Sequence, residues 1–165
     1  MEKIIVMPGP LLGDVAPHHF CISVGDREAA IAWWSAMFGF TAESRFEIPH
    51  IGAKGAFVRN GAMRIEIFEI AGSAATPLER QKPNTDLQTQ GVKHFCFSVD
   101  NVQAAVETLK AAGVEIVGVA RGVGQPMRAE DDVTIGNSKP AATAFFFNDP
   151  WGSLIEILSR HDFPV

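Results

Sequence analysis

The chain has 165 residues, 47% hydrophobic and 20% charged, with a formal net charge of -5. That is the composition of a globular protein long enough to bury a real core. Its charge is not gathered into an acidic or basic block, which leaves no electrostatic footprint for nucleic acid or an anionic membrane. No stretch approaches the roughly 20 apolar residues that cross a bilayer. The first residues lack the long apolar core of a signal peptide, so a cytoplasmic protein is expected.

Residues 1–16 carry Gly and Pro without a period and read as an arm. A strand is then expected from about His18 to Val24. The stretch His19-Phe-Cys-Ile-Ser-Val24 is written again as His94-Phe-Cys-Phe-Ser-Val99, so a structural unit is used twice. After the first copy Asp26 is a good N-cap, and Ala30, Ile31, Trp34, Met37 and Phe38 recur at helical spacing up to Gly39, a C-cap glycine. Phe40 to Phe46 reads as a second strand and Ile48 to Gly55 as a loop. Ala56 to Arg59 and Met63 to Ile70 form a hairpin around Asn60-Gly61, a strong turn signal.

Residues 71–90 are rich in Ser, Thr, Pro, Gln and Asn and read as a linker, with a helical turn near Pro77 to Gln81. The second unit opens with Gly91 to His94. Its helix carries Val102, Ala105, Val106 and Leu109 on one stripe and closes on Gly113, and Glu115 to Val119 follows as a strand. Ala120 to Ala141 is a long irregular loop with three acids, Glu130, Asp131 and Asp132. Ala142 to Phe147, the turn Asn148 to Gly152, and Ser153 to Ser159 complete the unit. The expected organisation is thus one α+β domain of two βαβββ modules, residues 17–70 and 91–160.

In each unit the last strand has a carboxylate among isoleucines: Ile65-Glu66-Ile67 and Ile155-Glu156-Ile157. An unpaired buried carboxylate is expensive, and side chains alternate faces along a strand. The isoleucines therefore belong to the helix-covered side, and Glu66 and Glu156 to the other. By the same parity His19 and His94 turn away from their helices. Two imidazoles and two carboxylates of this kind suit a divalent metal of the first transition row, if the uncovered faces meet. The metal ligands expected are His19, Glu66, His94 and Glu156.

Other candidates have plainer readings. A lone strand glutamate is most often solvated and a lone histidine structural; it is the joint repetition that singles out these four. His18, His50 and His161 have no counterpart in the other half and read as structural, with His50 kept as a loop residue near a substrate. Glu69 has the parity of the isoleucines and reads as a neighbour of the helix. Cys21 and Cys96 sit at matching positions; counting allows a disulfide, and free buried thiols lining a cavity are the expected state. Phe145 to Phe147 reads as core, and Trp33 and Trp34 as structural helix residues.

These residues together resemble the vicinal-oxygen-chelate superfamily, the glyoxalase, bleomycin-resistance and dioxygenase group. The resemblance is carried by His19 with Val24 and Asp26, Trp33-Trp34 leading to Gly39-Phe40, Ile65-Glu66-Ile67, Gly91 to Val99, and Asn148-Asp-Pro-Trp-Gly152 leading to Glu156. It implies two paired βαβββ modules forming a half-open barrel around a metal site, with His19, Glu66, His94 and Glu156 as ligands. Glutamate at position 66 is more similar to glyoxalase I and methylmalonyl-CoA epimerase than to the dioxygenases with their two-histidine, one-carboxylate triad. The implied activity is that of a lyase or isomerase dependent on Zn, Ni, Co, Mn or Fe. It would take a proton from the carbon next to a carbonyl, with Glu156 and Glu66 as catalytic carboxylates and a metal-stabilised enolate. A non-haem Fe(II) dioxygenase and a metal-free ligand-sequestering resistance protein are the alternatives. The expected partners are a small carbonyl-containing substrate and a second copy of the chain in a homodimer. Selection among substrates is expected where the halves differ, first of all in residues 120–141.

Overall fold

The computed structural model describes Leu12 and residues 15–122, 124–129, 132–136 and 139–162. Most of the expected arm, and the acids Glu130 and Asp131, lie outside the described residues. The chain divides into two compact units, Met1–Ser73 and Ala74–Val165, each built on one four-stranded mixed sheet. Each sheet is open, with two edge strands. No helix among the described residues is long and apolar enough to cross a membrane.

The first unit runs β1 (Phe20–Val24), α1 (Arg27–Phe38), β2 (Thr41–Ile48), β3 (Ala53–Asn60) and β4 (Met63–Ile70). Its sheet order is β1-β4-β3-β2, with β1 parallel to β4 and the other pairs antiparallel. Local chemistry sets the helix ends. The Asp26 carboxylate accepts the Ala29 N–H at 2.9 Å, and Gly39, at φ 71°, returns its N–H to the Ser35 carbonyl. Trp34 is fully buried against Phe20 and Phe40, while Val58, Ile65 and Ile67 fill the same core. Glu69 shares the isoleucine face and accepts the Arg27 backbone N–H at the helix start and the Lys54 ammonium. Strand β3 begins at Ala53, three residues earlier than the sequence suggests. A short 3-10 turn, Pro49–Ile51, ends on Gly52 at φ 65°, which returns the chain tightly enough for Ile48 to pair with Ala53.

The second unit repeats the plan with β5 (Phe95–Val99), α2 (Val102–Ala111), β6 (Ile116–Ala120), β7 (Ala144–Asn148) and β8 (Leu154–Ser159), in the order β5-β8-β7-β6. Helix α2 ends with Gly113 and Val114 donating their N–H groups to the Lys110 and Leu109 carbonyls, the paired bonds of a Schellman motif. Phe145, Phe147, Ile155 and Val106 are fully buried.

Residues 74–93 belong to this second unit. Thr76 Oγ1 donates to the Trp151 carbonyl, Gln81 Nε2 to the Thr76 carbonyl and Asn148 Nδ2 to the Gln81 carbonyl. The turn expected near Pro77 to Gln81 is a 3-10 helix, Leu78–Gln81. The long loop is pinned by one buried amide. Gln103 Nε2 donates to the Val133 carbonyl at 2.7 Å, and Gln103 Oε1 accepts the Ala142 N–H at 2.8 Å. Every polar atom of that carboxamide is used, which is the condition for burying it.

Glycine 55 fixes how closely β2 and β3 carry their rings. A Cβ built there would lie 2.2 Å from Phe46 Cε2. Gly55→Ala should therefore overpack the sheet and cost about 1–3 kcal/mol. A urea midpoint lowered at unchanged slope would show it, and an unchanged midpoint would contradict it.

Candidate metal-binding and catalytic site

Pairing register brings the repeated residues side by side. Parallel pairing of β1 with β4 sets Cys21 opposite Glu66, and β3 sets Phe57 on the other side of that glutamate. The second sheet does the same with Cys96, Glu156 and Phe146. His19 and His94 stand one residue before β1 and β5. His19 Nε2 lies 3.2 Å from Glu66 Oε2, and His94 Nε2 lies 3.0 Å from Glu156 Oε2. Both glutamates are 19% exposed and the histidines 32% and 37%, so each pair is reachable from solvent and yet partly desolvated. Each imidazole packs edge-on against a phenylalanine, Phe57 at 5.3 Å and Phe146 at 5.4 Å between ring centres.

The structure thus joins His19 to Glu66 and His94 to Glu156, as two like pairs. Among the described residues no cluster of three or more His, Cys, Asp or Glu is spaced to hold a metal ion. Within each pair the donor spacing nevertheless suits coordination: two ligands at right angles with bonds of about 2.1 Å have donor atoms about 3.0 Å apart. Imidazole nitrogen with carboxylate oxygen is also the donor chemistry of first-row divalent ions.

The cysteines differ from expectation. Both are free, but both are exposed, because they lie on the face that the helix does not cover. Withdrawal of water by the surrounding protein, with Glu66 alongside, still pushes the Cys21 thiol up to about 11; the same causes, with Glu156, push Cys96 up to about 12. Neither thiol is a ready nucleophile at neutral pH.

Several neighbours of the pairs are not repeated. His18 places its Nδ1 2.7 Å from His19 Nδ1, so it is a partner of the candidate ligand, contrary to the structural reading of its sequence position. Repetition could not single it out, since Lys93 occupies the matching place and is held by Asp86 and Thr89. On the first sheet Glu43 bridges Arg64 and Arg59. Arg64 beside it holds the Glu43 carboxyl below the usual carboxylate range, with Arg59 adding to the effect. Phe46, Phe57 and Phe68 cluster half-exposed on the Glu66 face. On the second unit a cavity of about 90 Å³ lies between residues 79–87 and His94, Phe146 and Leu154. There Pro83 and Met127 fill the space that a side chain at Gly118 would need. His50 stands exposed on its 3-10 turn, and His161 is exposed at 3.9 Å from Asp100.

A βαβββ plan used twice, each copy carrying a His–Glu pair on the uncovered face of its sheet, defines the class of fold. Residues 18–133 match the family model described as the Glyoxalase/Bleomycin resistance protein/Dioxygenase superfamily, and the chain belongs to that superfamily. It is 30% identical over 97 residues to the mitochondrial methylmalonyl-CoA epimerase of Homo sapiens, covering 56% of this chain and 51% of that protein. The Bos taurus epimerase is 28% identical over 109 residues, with 66% and 61% covered. The chain therefore spans about half to six-tenths of the length of these relatives. Among solved structures, a glyoxalase family protein from Enterococcus faecalis superposes with a TM-score of 0.61 at 20% identity, over 87% of this chain and 97% of that one. The trypanothione-dependent glyoxalase I of Leishmania major gives 0.60 at 18% identity, over 90% and 89%. At such identities these two structures speak for the fold.

Proposed function

We propose that the protein is a divalent-metal-dependent lyase or isomerase that removes a proton from the carbon next to a carbonyl, with His19, Glu66, His94 and Glu156 holding the ion. The observation that carries this reading is the repeated His–Glu pair, with donor atoms 3.2 and 3.0 Å apart on the uncovered sheet faces. A bound divalent ion would supply Lewis-acid stabilisation of the negative charge that develops on the carbonyl oxygen. The chain's own residues do the rest. Glu156 accepts the proton as the C–H bond breaks, the electron pair passes toward the carbonyl oxygen, and Glu66 returns a proton to carbon when the outcome is epimerisation. Half-exposed Phe46, Phe57 and Phe68 offer an apolar wall to the body of the substrate. The cavity beside His94 offers room for a small substituent. A cytoplasmic homodimer acting on a small carbonyl compound belongs to the same proposal.

The aromatic cluster also favours a second reading, a metal-free protein that sequesters a flat apolar ligand. Metal content separates the two. Protein purified without chelator should carry stoichiometric transition metal by elemental analysis, and His94→Ala should lose most of it; metal-free wild-type protein that cannot be loaded would favour sequestration. Methylmalonyl-CoA is a suitable first substrate, since the epimerases named above are similar to this chain. With it, Glu156→Gln should slow solvent-deuterium exchange at the carbon between the carbonyls by about 10²–10⁴-fold, with an unchanged circular dichroism spectrum. Exchange at the wild-type rate would remove Glu156 from the role of base.

A further inference from the structure

The first unit carries a charge arrangement that its repeat lacks. Arg59 and Arg64 stand directly opposite each other across β3 and β4, two residues along from Phe57 and Glu66 and, by parity, on the same face. Like charges so opposed destabilise a sheet. Here they share one carboxylate, Glu43, delivered where the β2–β3 register slips between Ala42 and Ser44. Two guanidiniums on one carboxylate leave one positive charge over. In the second unit Asn148 and Leu154 are paired at the corresponding place, and its own register slip, between Ile116 and Gly118, falls at Val117. The same sheet is thus built without any of these charges, so folding does not demand them.

Donor geometry shows where the surplus charge can be used. Arg64 gives Nε and Nη2 to Glu43 at 2.7 and 3.2 Å and keeps its Nη1 edge out of that fork. The Arg64 side chain is 24% exposed, partly desolvated but still accessible. It lines a cavity, together with Met63, in which the facing wall is Pro17, His18 and His19. His18 Nδ1 lies 2.7 Å from His19 Nδ1. The cavity is walled by a guanidinium and an imidazole, beside the His19–Glu66 pair.

We infer that this cavity is an oxyanion subsite, which holds a carboxylate or phosphoryl group of the substrate against Arg64 and His18. Two residues of strand separate Arg64 from Glu66, on the order of 7 Å. The substrate class is accordingly a carbonyl compound whose anionic group stands a few bonds from the reacting carbon. The proposed function enters only through the reacting carbon; the arginine pair and the cavity stand apart from it.

The test uses chelator-treated full-length protein, titrated by NMR with inorganic phosphate and, separately, with propionate. Saturable millimolar binding of either anion, with shifts at Arg64 and His18, is expected; phosphate alone would assign a phosphoryl group and propionate alone a carboxylate. Arg64→Gln should weaken binding at least tenfold, and Arg64→Lys should retain an intermediate affinity. Glu43→Gln should tighten binding at least threefold, because its carboxylate competes for the same guanidiniums. No saturation in wild type, or an Arg64→Gln variant with native circular dichroism and unchanged affinity, would overturn the subsite. Co(II) titration of the same wild-type protein separates the two readings: anion binding without Co(II) binding leaves the subsite standing and removes the metal.

Discussion

A carboxylate set between isoleucines can be kept charged only on a face that the helix leaves open, and this constraint is met twice, at Glu66 and Glu156. Their neighbours Ile65, Ile67, Ile155 and Ile157 are buried against the helices, while the glutamates retain 19% exposure and a histidine partner each. Burying either carboxylate unpaired would cost several kcal/mol, a large share of the margin by which a domain is stable. The alternation of faces along β4 and β8 therefore settles which side chains form the core and which share the open face. Once the isoleucines are committed to the helix, His19, Cys21 and Phe57 have to share the surface of Glu66, and His94, Cys96 and Phe146 that of Glu156.

What was legible in the sequence follows from which forces are local. Asp26 and Gly39 cap α1 through bonds that reach no farther than four residues, and both caps can be read from residue type alone. The span Met63–Ile70 is bounded by a turn and by its own alternation. The start of β3 was hidden because Gly52 in a left-handed conformation shortens a segment that reads as loop. Repetition singles out His19, Glu66, His94 and Glu156 and is blind to whatever is unrepeated, and so His18 reads as structural. Glu43 was hidden for another reason: its role depends on a register slip between two strands, a property of pairing that neither strand carries by itself.

Gln103 shows the same limit from the side of the core. A glutamine on a helix reads as a solvent-facing residue, yet here it is 7% exposed because Val133 and Ala142 bring a carbonyl and an N–H to its amide. The loop that departs most from the repeat is thereby fastened to α2 by a side chain whose importance only the folded loop creates. Residues 74–93 are fastened likewise, through Thr76, Gln81 and Asn148, to the turn and strand that lead into Glu156. Segments that look like connectors are in this way parts of the second unit.

The duplication consequently divides the labour between what is repeated and what is not. The two His–Glu pairs have the same side chains at nearly the same spacing, and the repeated register supplies them. At the place where the first sheet carries Arg59, Arg64 and Glu43, the second carries Asn148, Leu154 and Val117. The two halves therefore differ in charge on frames whose hydrogen-bonded pairing is nearly the same. Such asymmetry costs little stability, because the exposed ion pairs contribute only about 0–1 kcal/mol each and the isoleucine core is unaffected. The His–Glu pairs, by contrast, are tied to the alternation that builds the fold.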